Sequence, residues 1–402
     1  MAVVLLCGCH HTTSPKIFDP SQVDFKVEFN PLYSNCLYPS LILGQANYNG
    51  NYDNDALALI SLEVTAPRDG AVLRIVIDSS RLSYVTIDQE VLPKRGQRYT
   101  FHPTIKWKYD NLYATRQQGS IDLTFTCYIN DEEVDIKNLH INYRSVNECL
   151  LSARYHGKVQ DFRWLFAGYV NEDHPKIDEI LSEILSQGIV TNFTGYQSNK
   201  AANVKKQVEA IWYYALCRGI SYSSISCTSN PSSNANVQHI RFFDEVYNNR
   251  QANCIDACVF FASIMRKIGL KPIIFVEPCH AYLGYYTDNK RKNLELLETT
   301  ITGWVNFPDL DKSANSNNGL PSAEKYQSVS KYLTAKQQAQ YNEGKMDLNQ
   351  LKMAVADSLF RRASSYNQER YKSNIVHFQD TSTLNYQQLV IEDLRKLVQP
   401  IN

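Results

Sequence analysis

The 402-residue sequence holds no run of the roughly 20 apolar residues that a membrane-crossing helix needs. It has no excess of charge of either sign. Lys+Arg and Asp+Glu both number 41, so there is no electrostatic case for nucleic acid or an anionic membrane as the main partner. Glycine is modest, at 16 residues, and no internal repeat is visible. Ten cysteines are present, but they are scattered, with no zinc-ribbon or knottin spacing. A core of this size would not depend on pairing them. What remains is an ordinary globular composition, 44% apolar and 20% charged, long enough for two or three domains with separate cores.

The chain opens on Met1-Ala-Val-Val-Leu-Leu-Cys7-Gly8-Cys9, an apolar run ending in Leu-Cys-Gly-Cys. This resembles a bacterial lipobox, in which Cys9 would carry a lipid anchor and residues 10–20 would form a tether. The run is short and no basic residue precedes it, unlike a full signal peptide. The alternative is a buried first strand.

Residues from about 22 to 146 read as β. Val23–Phe29, Ala71–Ile77 and Ile121–Ile129 alternate apolar and polar, with turn signals at Asn49-Gly50, Asp69-Gly70 and Arg95-Gly96. Short strands at this spacing predict an antiparallel, Ig-like sandwich. Helical periodicity follows. Ile177, Ile180, Leu181, Ile184 and Leu185 form one stripe after His174-Pro175. A second helix is predicted near residues 203–217, and the Ser- and Asn-rich 224–236 segment reads as a loop. Strands are predicted at 272–276, 282–286 and 294–297, polar loops at 288–293 and 311–320, and a final strand near 384–391. The expected domains are a tether over 1–21, a β-sandwich over 22–148, a mixed domain over 149–320 and a mainly helical extension over 321–402.

Chemistry is concentrated between residues 238 and 300. Cys254 opens an apolar helix that Gly269 ends. The positive end of a helix favours a thiolate, and a buried helix is a rigid mount for one. His280 follows after a β-rich run and can take and return the thiol proton. Glu298, expected on a strand antiparallel to that of His280, can hold the imidazole's tautomer. Asp256 is expected to stabilise the helix start, and Cys258, one turn on, to lie in the core. The four tryptophans are expected in the core, with Trp304 a second option as a cleft wall.

These residues carry a resemblance. Cys254-Ile-Asp256, then Ile268-Gly269-Leu270 and Pro272, then His280-Ala281-Tyr282, then Glu298-Thr299-Thr300 resemble the transglutaminase-like superfamily, a branch of the papain-like fold. Gln238-His-Ile-Arg241 upstream resembles a bacterial lipoprotein-type branch. The likeness spans about residues 170–305. It departs from the pattern at Ala252, where glycine is usual, at Glu298, where aspartate is usual, and at Pro272, one residue late. The resemblance implies an α+β protein with a papain-like domain. It implies acyl transfer at an amide or ester by a Cys254–His280–Glu298 triad, with Gln238 as an oxyanion donor or site wall. It also implies an exported bacterial lipoprotein of the periplasm or outer membrane, held to the membrane only by its lipid. The substrate would be a peptide or other amide, cell-wall material included. No cofactor, metal or nucleic acid is implied. Two other readings stand beside it: an inactive binding scaffold with the triad retained, and a zinc site made by Cys254, Cys258, Cys279 and His280.

Overall fold

The computed structural model describes residues 23–45, 58–224, 229–232, 234–380, 382 and 384–401. Cys9 and the Asn49-Gly50 turn lie outside them. The chain is mixed α and β, with five sheets among the described residues. It divides into two compact units. The first comprises Met1–Leu37, Asn51–Asn111 and Gly119–Tyr143, and the second comprises Tyr38–Gly50, Leu112–Gln118 and Arg144–Asn402.

The first unit is built on two sheets. One runs Cys36–Leu37, Glu132–Tyr143, Gly119–Ile129, Ala71–Ile77, Thr86–Leu92, with the first pair parallel and the others antiparallel. The other runs Phe25–Phe29, Ile60–Thr65, Arg98–Phe101, all antiparallel. Alternation in the sequence becomes alternation in burial. Ile60, Leu62 and Val64 are buried, as are Leu73, Ile75 and Ile77, and Leu123, Phe125 and Cys127, while the residues between them face out. Burying each large side chain stabilises by about 1.5–3 kcal/mol. The turns at Gly70 and Gly96 have φ of 62° and 73°.

In the second unit a four-stranded antiparallel sheet runs Leu294–Leu297, His280–Tyr286, Pro272–Glu277, Gln387–Val390. The helix Cys254–Lys267 packs on its central strands, and the 32-residue helix Leu348–Gln379 packs along its edge strand Leu294–Leu297. Pro272–Glu277 is buried throughout, which fits a sequence that is apolar without alternation from Pro272 to Val276. Ile273, Phe275, Tyr282, Leu296 and Phe378 form one core cluster here, with Phe275 and Tyr282 stacked at 5.0 Å. A second four-stranded sheet joins Lys158–Asp161, Glu148–Tyr155, Ala235–His239 and Ser229–Ser232.

Several expectations are corrected. The 224–236 segment is not all loop. Ala235–His239 pairs with Glu148–Tyr155, and that long-range ladder overrides the local Ser and Asn preference for turns. The 311–320 loop is partly helix, Phe307–Asn315, started by Asn306 accepting from the Asp309 N–H at 3.2 Å. On the helix Pro175–Ser186 the buried stripe is Ile177, Ile180 and Ile184, and Leu185 is 39% exposed, because only a narrow face of this helix meets the core. Trp212 is fully buried, but Trp304 is 56% exposed, and Trp107 and Trp164 are half-buried.

Candidate active site

Cys254 is the first residue of its helix. Asn253 caps it by accepting from the Asp256 N–H at 2.9 Å, and Asp256 reaches back to the Asn253 N–H at 3.0 Å. Asp256 is therefore the third helical residue, and the capping box fixes the start of the helix at the cysteine. Arg241 adds a clamp: its backbone N–H lies 2.9 Å and its guanidinium 2.7 Å from the Asp256 carboxylate. Burial pushes the Asp256 pKa up, while these hydrogen bonds and the Arg241 charge pull against it. The pair ties the Gln238–Arg241 segment to the helix carrying the cysteine, a role that its sequence did not announce. At the far end Gly269, with φ 77°, closes the helix in a conformation that favours glycine.

His280 begins its strand, directly after a two-residue turn. Glu277 and His280 face each other across it, with Pro278 and Cys279 at the tip. Cys279 has φ 62°, a position where turns ordinarily place Gly or Asn. His280 Nε2 lies 2.8 Å from Glu298 Oε2. With that nitrogen committed, Nδ1 is the one left to face a thiol. Burial pulls the imidazole's pKa down. Hydrogen bonds to Cys254 and Glu298, with their charges, outweigh it and push the value up to about 9.

Glu298 lies one residue beyond the strand Leu294–Leu297, not on it. It caps the short 3-10 helix Thr299–Trp304, and its Oε1 accepts from the Thr300 N–H at 3.1 Å and the Thr300 hydroxyl at 2.7 Å. Its own N–H donates to the Ala363 carbonyl of the long helix at 3.1 Å. Burial raises its pKa, but the His280 and Thr300 hydrogen bonds and the imidazole charge bring it below the ordinary glutamate value. Leaving the strand frees the carboxylate to turn toward the imidazole while Thr300 orients its second oxygen.

The structure thus brings Cys254, His280 and Glu298 together. Gln238 it leaves outside this hydrogen-bond set: it lies on the strand Ala235–His239, its amide donating to the His239 carbonyl at 2.9 Å. The four-residue zinc set does not form. Cys258 is buried with its sulfur 3.8 Å from the Thr299 hydroxyl, Cys279 is exposed, and no group of three metal-ligating side chains is found among the described residues. Burial, with the nearby Cys254 charge, pushes the Cys258 thiol well above its ordinary value.

Two side chains near the triad were not singled out from sequence. Tyr222 sits on a two-residue strand parallel to Gln251–Ala252, which leads into Cys254. Burial raises its phenol pKa, and the charges of Cys254 and Glu298 raise it further, so it lies within their field although it is 45% exposed. Gly303 makes room for it, since a Cβ there would stand 3.0 Å from the Tyr222 nitrogen. Arg370 of the long helix is ion-paired with Glu277, which Asn374 also holds at 3.2 Å. Glu277 is the residue paired with His280 across the turn. Both are remote in sequence from the cysteine motif, and only the fold brings them near. A scan against protein-family models finds no match, and a search of curated proteins finds none.

Proposed function

We propose that this chain is a thiol-dependent acyl-transfer enzyme of the transglutaminase-like kind, acting on an amide or ester. The observation that carries the reading is the His280–Glu298 pair at 2.8 Å, with Cys254 at a helix start and near enough to help raise the imidazole's pKa. Cys254 sulfur attacks the acyl carbon as its proton passes to His280. The tetrahedral intermediate collapses to a thioester, and His280 returns the proton to the leaving amine or alcohol. Water then releases an acid, or an amine takes the acyl group, with His280 accepting the proton of the attacking nucleophile. Glu298 holds the ring in register and stabilises the imidazolium. The helix N-terminus favours the charge on sulfur.

In the same reading the first unit, with its three- and five-stranded sheets each burying one face, is an Ig-like β-sandwich, and residues 149–320 form the papain-like domain. The protein is an exported bacterial lipoprotein anchored through Cys9, and its substrates are peptides or cell-wall amides. Mass spectrometry of the native N-terminus checks the anchor: an unmodified Cys9 removes it.

Competitive labelling tests the chemistry. Iodoacetamide at about pH 6 should alkylate Cys254 ahead of the other cysteines, and His280→Ala should abolish the preference. Slow, uniform labelling of all cysteines would sink the enzyme reading and leave the inactive scaffold.

A further inference from the structure

Attack of a thiol on an amide or ester turns the carbonyl oxygen into an oxyanion, and a site for this chemistry offers that oxygen fixed hydrogen-bond donors in place of water. The Cys254 backbone N–H is one. It stands at the first position of the helix Cys254–Lys267, where no carbonyl of the helix itself can reach it. Gln238, the side chain expected to supply a second, has its amide on the His239 carbonyl at 2.9 Å, outside the hydrogen-bond set of the triad.

Tyr222 is held beside the nucleophile by its backbone. Ser221–Tyr222 runs parallel to Gln251–Ala252, with Tyr222 opposite Ala252, two residues before Cys254. The Ser221 N–H donates to the Arg250 carbonyl at 3.0 Å, and the Ser223 N–H donates to the Ala252 carbonyl at 2.9 Å. The same strand packs on the 3-10 helix Thr299–Trp304, whose cap is Glu298. Gly303 permits that approach: an added Cβ would meet the Tyr222 nitrogen at 3.0 Å and the Ser221 Cβ at 3.4 Å. Tyr222 is thus pinned between the run into the thiol and the segment that carries the triad's carboxylate. Its ring is 45% exposed, and its hydroxyl makes no hydrogen bond among the described residues. Burial, with the charges of Cys254 and Glu298, raises the phenol pKa, so the hydroxyl keeps its proton at neutral pH and can donate it.

We infer that Tyr222 is a further catalytic residue, its hydroxyl donating a hydrogen bond to the oxyanion of the tetrahedral intermediate at Cys254. The inference rests on the acyl-transfer reading and adds to it the group that receives the developing charge. As the bond from sulfur to the acyl carbon forms, the carbonyl's π pair moves onto oxygen, which accepts from the Tyr222 hydroxyl and the Cys254 N–H without taking a proton. On collapse the pair returns to the C=O bond, the bond to the leaving group breaks, and that group takes the proton held by His280.

Two reactions of the same thiol test this in the full chain. p-Nitrophenyl acetate acylates through an oxyanion, read as a burst of nitrophenolate and an acetyl adduct on Cys254. Iodoacetamide alkylates by displacement at a saturated carbon, where no oxyanion forms. Tyr222→Phe should slow acetylation by about a hundredfold or more, the effect of losing one oxyanion donor, and leave the rate of Cys254 alkylation unchanged. The exposed ring makes this a mild substitution, and an unchanged amide spectrum confirms the fold. The assignment alone is overturned if Tyr222→Phe is acetylated as fast as the native chain. It is also overturned if both reactions slow in equal proportion, since Tyr222 would then act on the thiol. Failure of the native chain to form the acetyl adduct overturns the acyl-transfer reading and this assignment with it.

Discussion

The two units bury different things. Among the described residues the first buries two polar side chains, Ser83 and Thr86, both hydroxyls. The second buries Asp256, Glu277, Glu298 and Lys352, with Asn147, Gln207, Asn253, Asn367 and several hydroxyls. A charge removed from water is costly unless it is paired, and such charges gather where chemistry or a specific architecture needs them. In the first unit ion pairs such as Arg98–Asp24, at 2.5 Å, are half-exposed and contribute little. The contrast teaches where to look: among the described residues, buried charge is confined to the second unit.

The sharpest way to break that contrast is to remove one ion-paired carboxylate from each unit, buried in the second and exposed in the first. Asp256→Ala strands Arg241 and removes half of the capping box of the helix Cys254–Lys267, and should cost about 3–5 kcal/mol in chemical denaturation. Asp24→Ala in the first unit should cost no more than about 1 kcal/mol. Equal losses would show that burial of charge does not separate the units.

Next comes Arg370→Ala, which leaves the Glu277 carboxylate buried with only Asn374. The loss should be about 3 kcal/mol, with slower alkylation of Cys254 because the His280 turn loses its anchor. Arg370→Lys should restore part of both. If stability falls while the Cys254 labelling rate is unchanged, Arg370 supports the fold and not the position of His280.

Dependence on pH should be smaller and confined to the second unit. His280 is raised from 6.5 to about 9, so its pairing stabilises fully below pH 6.5 and is lost as pH rises toward 9. Glu298 has the opposite sign. Its pKa is lowered, so its contribution is present above the ordinary value of 4.5 and disappears as acid protonates it. Hydrogen exchange followed from pH 6 to 9 should show the second unit losing about 2 kcal/mol while the first stays flat. His280→Ala should remove the slope.

The smallest effect expected is a gain. Cys279 holds a left-handed backbone beside the triad, and Cys279→Gly should stabilise by about 1 kcal/mol in thermal melts, without altering Cys254 labelling. A loss of stability would mean that the thiol makes a contact outweighing its backbone strain.

Some of this was legible in the sequence. The helix Cys254–Lys267 was marked by Asp256 near its start, an apolar run and a terminal glycine. The paired strands after it were equally clear as apolar runs around a polar Asp288–Asn293 turn. Glu298 was harder. The ladder ends at Leu297, and a one-residue shift from strand to cap is decided by Thr300 and the Ala363 carbonyl, which lies 65 residues further on. Arg370 was out of reach for the same reason. Its partner is set by how a long helix lies along a sheet, and nothing local in Tyr366–Arg370 marks that. The strand Ala235–His239 hid behind its Ser- and Asn-rich flank, and Asn306 signalled a helix that the polar composition after it obscured.

The long helix has a further consequence, in time rather than in space. Glu298 is braced by Ala363, Glu277 by Arg370, and Pro272–Glu277 is covered on one edge by Gln387–Val390. A chain emerging from the ribosome delivers the thiol, imidazole and carboxylate well before any of these supports. At synthesis rates of about 5–20 residues per second, the interval from Glu298 to Val390 is roughly 5–20 s. During it the strand Pro272–Glu277 has an open edge, the part of a sheet most prone to stray pairing. Cys254 is thus made early and its surroundings are assembled late, so a stall in translation between these points would leave an aggregation-prone chain.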